Sequence, residues 1–225
     1  YRCSFDLHVM QIYGAMCSGG TLVMMTEYGI FDMDYVTNAI QKNKVSRVCF
    51  TPSQVLPLVA HLDEHECWER MKTCKYFDCC GEALPTTTAA LLLDRLPHVR
   101  ATNAYGPAEC TLYATYHVCT ADDTKSVSVP IGKPLPNYTC HVLDEHLMES
   151  PVGTTGTLYI GGPSVYKGYL KRPDLTAKAV VESHPKFGRL YNSGDVAKYR
   201  PADGALIYCG RTDFQVKIRG QRLEI

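Results

Sequence analysis

The sequence has no excess of either charge, because 23 lysine and arginine residues balance 23 aspartate and glutamate residues. A strongly basic surface for nucleic acid is therefore not expected. The first residues lack the basic start and apolar run of a signal peptide. No segment approaches the roughly 20 apolar residues that span a bilayer. These absences favour a protein that works without nucleic acid and without a membrane.

No two of the 11 cysteines form a Cys-x-x-Cys pair, and their number is odd. Several lie within apolar runs, which is typical of buried free thiols in a reducing compartment, so we expect a cytoplasmic protein. His61, His65 and Cys67 lie close together in an acidic, helix-like stretch. Because no second ligand pair follows at zinc spacing, a solvated helix face is favoured there over a metal site.

The chain has 225 residues, of which 45% are hydrophobic, enough for one large domain or two small ones. It begins without methionine on an apolar-rich segment, and it stops at Ile225 within a strand-like run. We therefore expect it to be an internal fragment of a longer protein.

The first half of the chain alternates helix and strand patterns. Residues 33–43 place their apolar side chains on one helical face, directly after Asp32, which is suited to cap the helix. Thr51-Pro52 supplies the cap and first-turn proline of a second helix, and 86–96 predicts a third. Strand candidates at 45–50, 75–79 and 99–103 separate these helices. This order predicts parallel βαβ units.

After about residue 111 the pattern changes to short strand-like runs between proline and glycine turns. These runs are 111–119, 139–143, 156–160, 196–199, 205–208 and 215–218. One helix interrupts them near 173–181. The chain is thus predicted to pass from α/β to mainly β, either as a change of layer in one domain or as a boundary between two.

Residues 103–109 follow a predicted strand, at the place where open α/β sheets bind ligands. Tyr105 offers a flat face for a base, Asn103 offers an amide, and Glu109 offers a hard oxygen ligand for Mg²⁺. Taken alone, the seven residues are more typical of a solvent-exposed turn with a helix-capping glutamate. Two later segments change this balance.

Residues 191–195 place the carboxylate of Asp195 after a glycine turn, suited to accept hydrogen bonds from a ribose diol. Residues 210–222 hold four cations and one carboxylate. Together the segments resemble the adenylation domains of nonribosomal peptide synthetases, which belong to the adenylate-forming superfamily with acyl-CoA synthetases and luciferases. The matching motifs, in family order, are Phe5-Asp6, 103–109, 129–132, 156–170, 191–195 and 210–220.

The resemblance implies the large N-terminal subdomain of that fold, present in part. Residues 1–115 would be its α/β part with the substrate pocket and adenine loop, and 116–212 its β-rich part. Residues 213–225 would be the hinge and the start of a truncated C-terminal lid. The family's phosphate loop and lid lysine are not in this sequence, so we expect the fragment alone to be inactive.

The resemblance also implies ATP and Mg²⁺ as cofactors. Tyr105 would stack on adenine, Asn103 would contact its exocyclic amine, and Asp195, assisted by Arg211, would hold the ribose hydroxyls. The implied cofactor-binding residues are Gly81, Asn103, Ala104, Tyr105, Gly106, Ala108, Asp195 and Arg211. The implied catalytic residues are Glu109, which would ligate Mg²⁺, Asp213, about which the lid would rotate, and Lys217.

For the substrate, the resemblance implies that Asp6 accepts an α-ammonium group, which selects amino acids over plain carboxylic acids. The implied substrate-binding residues are Asp6, Leu7, Met10, Gln54, Asp78, Cys80, Ala104, Leu112 and Tyr113. Asp78 and Cys80 alternate on a strand, so both can face the pocket. A buried Asp78 needs a partner, and the sequence leaves open whether that is a polar or cationic substrate side chain or a neighbouring group.

The implied reaction joins an amino acid and MgATP into an aminoacyl-adenylate and pyrophosphate. The aminoacyl group then passes to the phosphopantetheine of a peptidyl carrier domain, with condensation domains in the same chain. Ala108, His8 and Gln11 depart from the family's usual threonine, serine and glutamate. Two alternatives remain: an acyl-CoA or aryl-acid ligase of the same superfamily, and a catalytically inactive adenylation-like docking module.

Overall fold

The computed structural model describes residues 5–126 and 128–213, together with the backbone of 216–218 and 221–223. Two five-stranded sheets and one two-stranded ribbon make up the β structure of these residues. In the same part of the chain, no helix has both the length and the apolar composition needed to cross a bilayer.

The first sheet has the strand order β1-β2-β3-β4-β5. Its strands are β1 (Arg47–Phe50), β2 (Tyr76–Cys80), β3 (Arg100–Tyr105), β4 (Thr115–Val118) and β5 (Lys133–Pro134). Strands β1, β2 and β3 are parallel, and β4 and β5 are antiparallel to their neighbours. The crossovers contain helices α3 (Pro52–Glu64) and α4 (Thr86–Arg95). The predicted parallel βαβ units are confirmed.

The caps of these helices follow from their sequences. In α2 (Met33–Lys42), the Asp32 carboxylate accepts a hydrogen bond from the Tyr35 N–H at 3.1 Å, as predicted. Helix α3 begins with a capping box, in which Gln54 Oε1 accepts from the Thr51 N–H at 3.1 Å. Pro52 fits the first turn, where its missing N–H costs no helical bond.

The two faces of the first sheet are covered differently. Phe50, Phe77 and Ala101 point to one face and belong to the main core with residues of α2, α3 and α4. On the opposite face, a helix that was not predicted from the sequence, α1 (Leu7–Cys17), packs its Leu7 into a cluster with Cys80. Helix α1 therefore lies near the carboxyl ends of β2 and β3.

The second sheet is antiparallel and confirms the predicted change to mainly β structure. Its strands are β6 (Thr139–Leu143), β7 (Gly156–Gly161), β8 (Val180–His184), β9 (Gly188–Tyr199) and β10 (Leu206–Arg211), with helix α5 (Pro173–Ala179) before β8. The ribbon pairs β11 (Val216–Ile218) with β12 (Gln221–Leu223).

One predicted strand boundary and one predicted turn were wrong, and one strand was missed. The run 111–119 shortens to β4 because Thr111 and Leu112 take positive φ angles of 58° and 72°, which extended strands exclude. The glycine before Asp195 is not a turn, since Gly194 lies inside the twelve-residue β9 with φ of 70°. Strand β8 had not been predicted at all.

The two sheets are joined through their backbones. The Ile131 N–H donates to the Leu206 carbonyl at 2.8 Å, and the Leu206 N–H donates to the Gly132 carbonyl at 2.7 Å. Ile131 and Leu206 also share one buried cluster with Ala114. This junction places the middle of β9 and the end of β10 opposite the end of β3.

Candidate functional site

A cavity of about 400 Å³ lies where the carboxyl ends of β2 and β3 face the second sheet. We call it the inter-sheet cavity. Its lining residues are Gly81, Glu82, Ala83, Asn103, Ala104, Tyr105, Gly106, Ile131, Asp195, Tyr208, Arg211 and Asp213. The structure thus brings together all the predicted cofactor-binding residues except Ala108, which lies in a short turn beside Glu109.

Arg211 links two carboxylates at the wall of the inter-sheet cavity. Its Nη1 donates to Asp195 Oδ1 at 2.6 Å, and its Nε and Nη2 donate to the two oxygens of Asp213 at 2.7 and 2.9 Å. The hydrogen bonds from Arg211 to Asp213 outweigh burial and, with the charge of Asp195, raise the pKa of Arg211. The guanidinium therefore stays charged and fixes both carboxylates.

Tyr105 adds a second donor to Asp195, through a hydrogen bond from its hydroxyl to Oδ2. Burial and the Asp195 charge both raise the pKa of Tyr105 well above its ordinary value. The phenol consequently remains protonated and acts as a donor. Asp195 is buried and held by side chains from both sheets.

Asn103 and Gly106 shape the floor of the cavity. The Asn103 Nδ2 donates to the Pro130 carbonyl at 2.9 Å, which leaves Oδ1 as the atom suited to accept from an exocyclic amine. A Cβ on Gly106 would overlap the Leu112 carbonyl oxygen, so the close approach of these two segments requires glycine.

Glu109 is buried, with about 7% of its surface exposed. Its Oε1 accepts a hydrogen bond from the Tyr169 hydroxyl at 2.7 Å, and its backbone carbonyl accepts from the Tyr166 N–H at 2.7 Å. The segment 103–109 is therefore not the exposed turn that its residues alone would favour. Both tyrosines come from the motif at 156–170.

Glu109 meets the chemical requirement for Mg²⁺, which prefers carboxylate oxygens. Nowhere in the described ranges do three or more His, Cys, Asp or Glu side chains form a metal-binding group. Mg²⁺ is commonly held by one or two carboxylates together with phosphate oxygens, and the Glu109 carboxylate is a ligand of this kind.

A second cavity, of about 440 Å³, lies on the face of the first sheet beside α1. We call it the sheet-face cavity. Its lining residues are Met10, Arg47, Thr111, Leu112, Tyr113, Tyr116, Leu135 and Tyr138. Three of the predicted substrate residues are among them, and Leu7, Cys80 and Ala104 form one buried cluster with Tyr113.

Two predicted substrate residues have partners within the protein. Gln54 forms the capping box of α3 and lines neither cavity. Asp78 is fully buried and accepts hydrogen bonds from Arg47, Thr102 and Tyr116. The sequence left open whether Asp78 pairs with a substrate side chain or with a neighbouring group. In the structure, three neighbouring side chains donate hydrogen bonds to it.

Asp6 directly precedes α1. Its Oδ2 is buried and has no hydrogen-bond partner in the described part of the chain. An unpaired buried carboxylate oxygen is costly unless a ligand supplies a donor. This atom is therefore suited to receive a cationic group.

Lys217 cannot be placed in the site, because its side chain lies outside the described residues, although its backbone is part of β11. Asp213 is described, and its side chain is about half exposed at the rim of the inter-sheet cavity.

Several lining residues were not predicted from the sequence. Glu82 and Ala83 follow β2, so the rule that drew attention to 103–109 after β3 would also have found them. Ile131 lies in the motif at 129–132, although no role was assigned to it. Arg47 and Tyr208 had no such signal, because their place in the cavities depends on strand pairing between distant segments.

The chain is similar in sequence and in fold to known proteins. The sequence profile of one family, described as AMP-binding enzyme, matches residues 2–170. Phosphinothricin tripeptide synthetase PhsB from Streptomyces viridochromogenes is 40% identical over 98% of this chain, and malpinin synthetase from Mortierella alpina is 34% identical over 100%. The chain spans only 18% and 3% of these relatives' lengths.

The fold is also similar to that of a solved structure, PA1221, an NRPS protein containing adenylation and PCP domains. The TM-score is 0.89 and the identity 29%, with 100% of this chain and 44% of that chain covered.

Proposed function

Because this chain belongs to the AMP-binding enzyme family, we propose that its parent protein activates an amino acid with MgATP. The reaction yields an aminoacyl-adenylate and pyrophosphate. One observation carries the proposal: Tyr105, Asp195 and Arg211, from distant parts of the chain, converge on one cavity of about 400 Å³. That volume is within the range of small-molecule sites.

In this proposal ATP occupies the inter-sheet cavity. The ring of Tyr105 stacks on the base, Asn103 Oδ1 accepts from the exocyclic amine, and Asp195 accepts from the ribose hydroxyls. Arg211 holds Asp195 in place, and Gly81, Ala104 and Gly106 let the backbone approach the nucleotide closely. Ala108, which lines neither cavity, contributes backbone contacts toward the phosphates.

Glu109 would hold Mg²⁺, which supplies charge neutralisation on the phosphates. The Tyr169 hydroxyl on Oε1 orients the carboxylate for this role. Asp213 acts as the hinge residue and Lys217 as a catalytic cation. Support for the hinge comes from the bidentate pair of Asp213 with Arg211, which anchors the chain just before the lid.

The amino acid binds near the start of α1. Asp6 accepts its α-ammonium group, and the unpartnered Oδ2 of Asp6 supports this assignment. The residues proposed to surround the side chain are Leu7, Met10, Gln54, Asp78, Cys80, Ala104, Leu112 and Tyr113. The buried cluster of Leu7, Cys80, Ala104 and Tyr113 supports a largely apolar pocket.

We further propose that the aminoacyl group passes to the phosphopantetheine thiol of a peptidyl carrier domain, and that condensation domains of the same chain use it. The names of the two synthetases and of the structure with a PCP domain support this step. A reducing, cytoplasmic location is supported by the ten described cysteines, none of which forms a disulfide.

The test is amino-acid-dependent exchange between ATP and pyrophosphate, measured with the intact parent protein and a panel of amino acids. We expect exchange with at least one amino acid, and loss of it in Asp6→Ala and Asp195→Ala. Exchange with acids that lack an α-amino group, unaffected by Asp6→Ala, would instead identify an acyl-CoA or aryl-acid ligase. Folded protein that binds no ATP would identify an inactive docking module.

A further inference from the structure

We infer that Arg47 is a specificity-determining residue of the proposed amino-acid site, where it neutralises Asp78 so that the pocket accepts an uncharged side chain. This inference rests on the proposed function and narrows its substrate class. Arg47 lies at the start of β1, outside the set of residues that the sequence assigned to the pocket.

Asp78 accepts hydrogen bonds from side chains of three other strands of the first sheet. Its Oδ2 accepts from Arg47 Nε at 2.6 Å, and its Oδ1 accepts from Thr102 Oγ1 at 2.6 Å and from the Tyr116 hydroxyl at 3.2 Å. Because Asp78 is fully buried and only its donors Arg47 and Tyr116 line the sheet-face cavity, a substrate ammonium group would have to displace one of these donors and leave it unsatisfied. Asp78 is therefore not a binding site for a cationic side chain while Arg47 is present.

Two of the three donors separate Asp78 from the sheet-face cavity, because Arg47 and Tyr116 both line it. Of the described residues that line this cavity, Arg47 alone carries a formal charge. Its guanidinium charge is compensated by Asp78, so the wall as a whole is neutral. An anionic side chain would compete with Asp78 for Arg47, and a cationic side chain would be repelled by it.

The rest of the pocket wall adds no charge. Met10, Leu112 and Leu135 are apolar, and the buried Tyr113 hydroxyl meets the thiol of Cys49 at 3.2 Å. The hydrogen bond between Cys49 and Cys80 and the burial of Cys49 raise its pKa well above the ordinary value, so the thiol stays protonated. An uncharged, largely apolar side chain matches this surface.

Because Arg47 and Asp78 neutralise each other, a substitution of either residue alone leaves one unbalanced charge beside the pocket. Replacing Arg47 by methionine leaves an uncompensated carboxylate behind the wall, which favours cationic side chains. Replacing Asp78 by asparagine leaves an uncompensated guanidinium, which favours acidic side chains. The double substitution restores neutrality.

The experiment is pyrophosphate exchange by the intact parent protein with leucine, phenylalanine, glutamate and lysine. The wild type should prefer an uncharged side chain over both charged ones. Arg47→Met should raise the ratio of lysine to leucine or phenylalanine activation by about tenfold, and Asp78→Asn should raise the corresponding glutamate ratio similarly. Arg47→Met/Asp78→Asn should return to the wild-type order.

The matched control is Arg100→Met, because Arg100 is exposed, is in register with Arg47 through Tyr76, and lines neither cavity. It should leave the order of preference among the four amino acids unchanged.

A wild type that prefers glutamate or lysine would overturn the inference, as would an unchanged order of preference in the single variants. Should Arg47→Met fail to fold, Asp78→Asn decides alone, since it keeps a side chain within reach of Thr102 and Tyr116. Folded wild type without exchange for any amino acid would instead refute the proposed function itself.

Discussion

The Tyr105 hydroxyl donates a hydrogen bond to the carboxylate of Asp195, although 90 positions separate the two residues. The bond joins the end of β3 to the middle of β9, and so connects the two sheets at the inter-sheet cavity. It fixes the position of the Tyr105 hydroxyl and one oxygen of Asp195 at once. The proposed base platform and the proposed ribose acceptor are therefore coupled.

This coupling separates the roles of the Tyr105 ring and hydroxyl. Tyr105→Phe keeps the ring but removes a hydrogen bond to a charged group, so the KM for ATP should rise by about tenfold. Tyr105→Ala also removes the stacking surface and should raise it further. The measurement is pyrophosphate exchange at varied ATP. An equal rise in the KM for ATP in the two variants would show that the base does not stack on the Tyr105 ring.

Arg211 should not tolerate replacement by lysine. Arg211→Lys removes the fork that binds Asp213 through two nitrogens and Asp195 through a third, so kcat/KM for ATP should fall by about tenfold or more. Arg172→Lys is the matched control, because Arg172 forms a bidentate pair with Asp174 on the exposed surface. A similar loss in both variants would argue against a specific role for Arg211.

Local patterns predicted much of the fold. The spacing of helices and strands was enough for the three parallel strands, and the Asp32 and Thr51 caps were predicted correctly. Helix α1 was missed because apolar residues occur on both its buried and exposed sides, with Met16 about 68% exposed, so no single apolar face is visible. Gly194 hid the continuity of β9, since glycine usually marks a turn.

The candidate site was predictable only where a motif carried it. The residues of 103–109 were found because a resemblance and the strand-end rule both indicated them. The partners of Asp78 could not be found, because they depend on the register that places Cys49 and Thr102 opposite it on the neighbouring strands. Register between strands that lie 24 or 31 positions apart is not encoded in any local pattern.

Gly106→Ala should destabilise the protein through direct overlap. The new Cβ would meet the Leu112 carbonyl oxygen and lie 2.8 Å from the Ala114 nitrogen, both of which are backbone atoms with little freedom to move. The expected loss is about 1–3 kcal/mol of unfolding free energy, measured by urea denaturation. Gly14→Ala is the control, because no atom beyond its chain neighbours and the adjacent turns of the α1 backbone lies within 4 Å of its added Cβ. Unchanged stability of Gly106→Ala would contradict the close packing.

Asp123 should make stability depend on pH in the acid range. Burial alone would raise its pKa, but hydrogen bonds from His117, Arg200 and Thr120 outweigh burial and lower the pKa from 3.8 to about 2. The carboxylate joins β4 to the turn between β9 and β10, through Arg200 Nη1 at 2.8 Å and His117 Nε2 at 2.8 Å.

Because the folded pKa of Asp123 is the lower one, its contribution is fully present above the unfolded value of 3.8 and is lost as pH falls through about 2. By linkage this contribution is on the order of 2 kcal/mol. Asp123→Asn should lower the unfolding free energy at pH 6 by a similar amount and flatten its pH dependence between 4 and 2. The exposed neighbour provides the control, since Asp122→Asn should change neither quantity. If the unfolding free energy of Asp123→Asn still fell between pH 4 and 2 as steeply as that of the wild type, other carboxylates would be its cause.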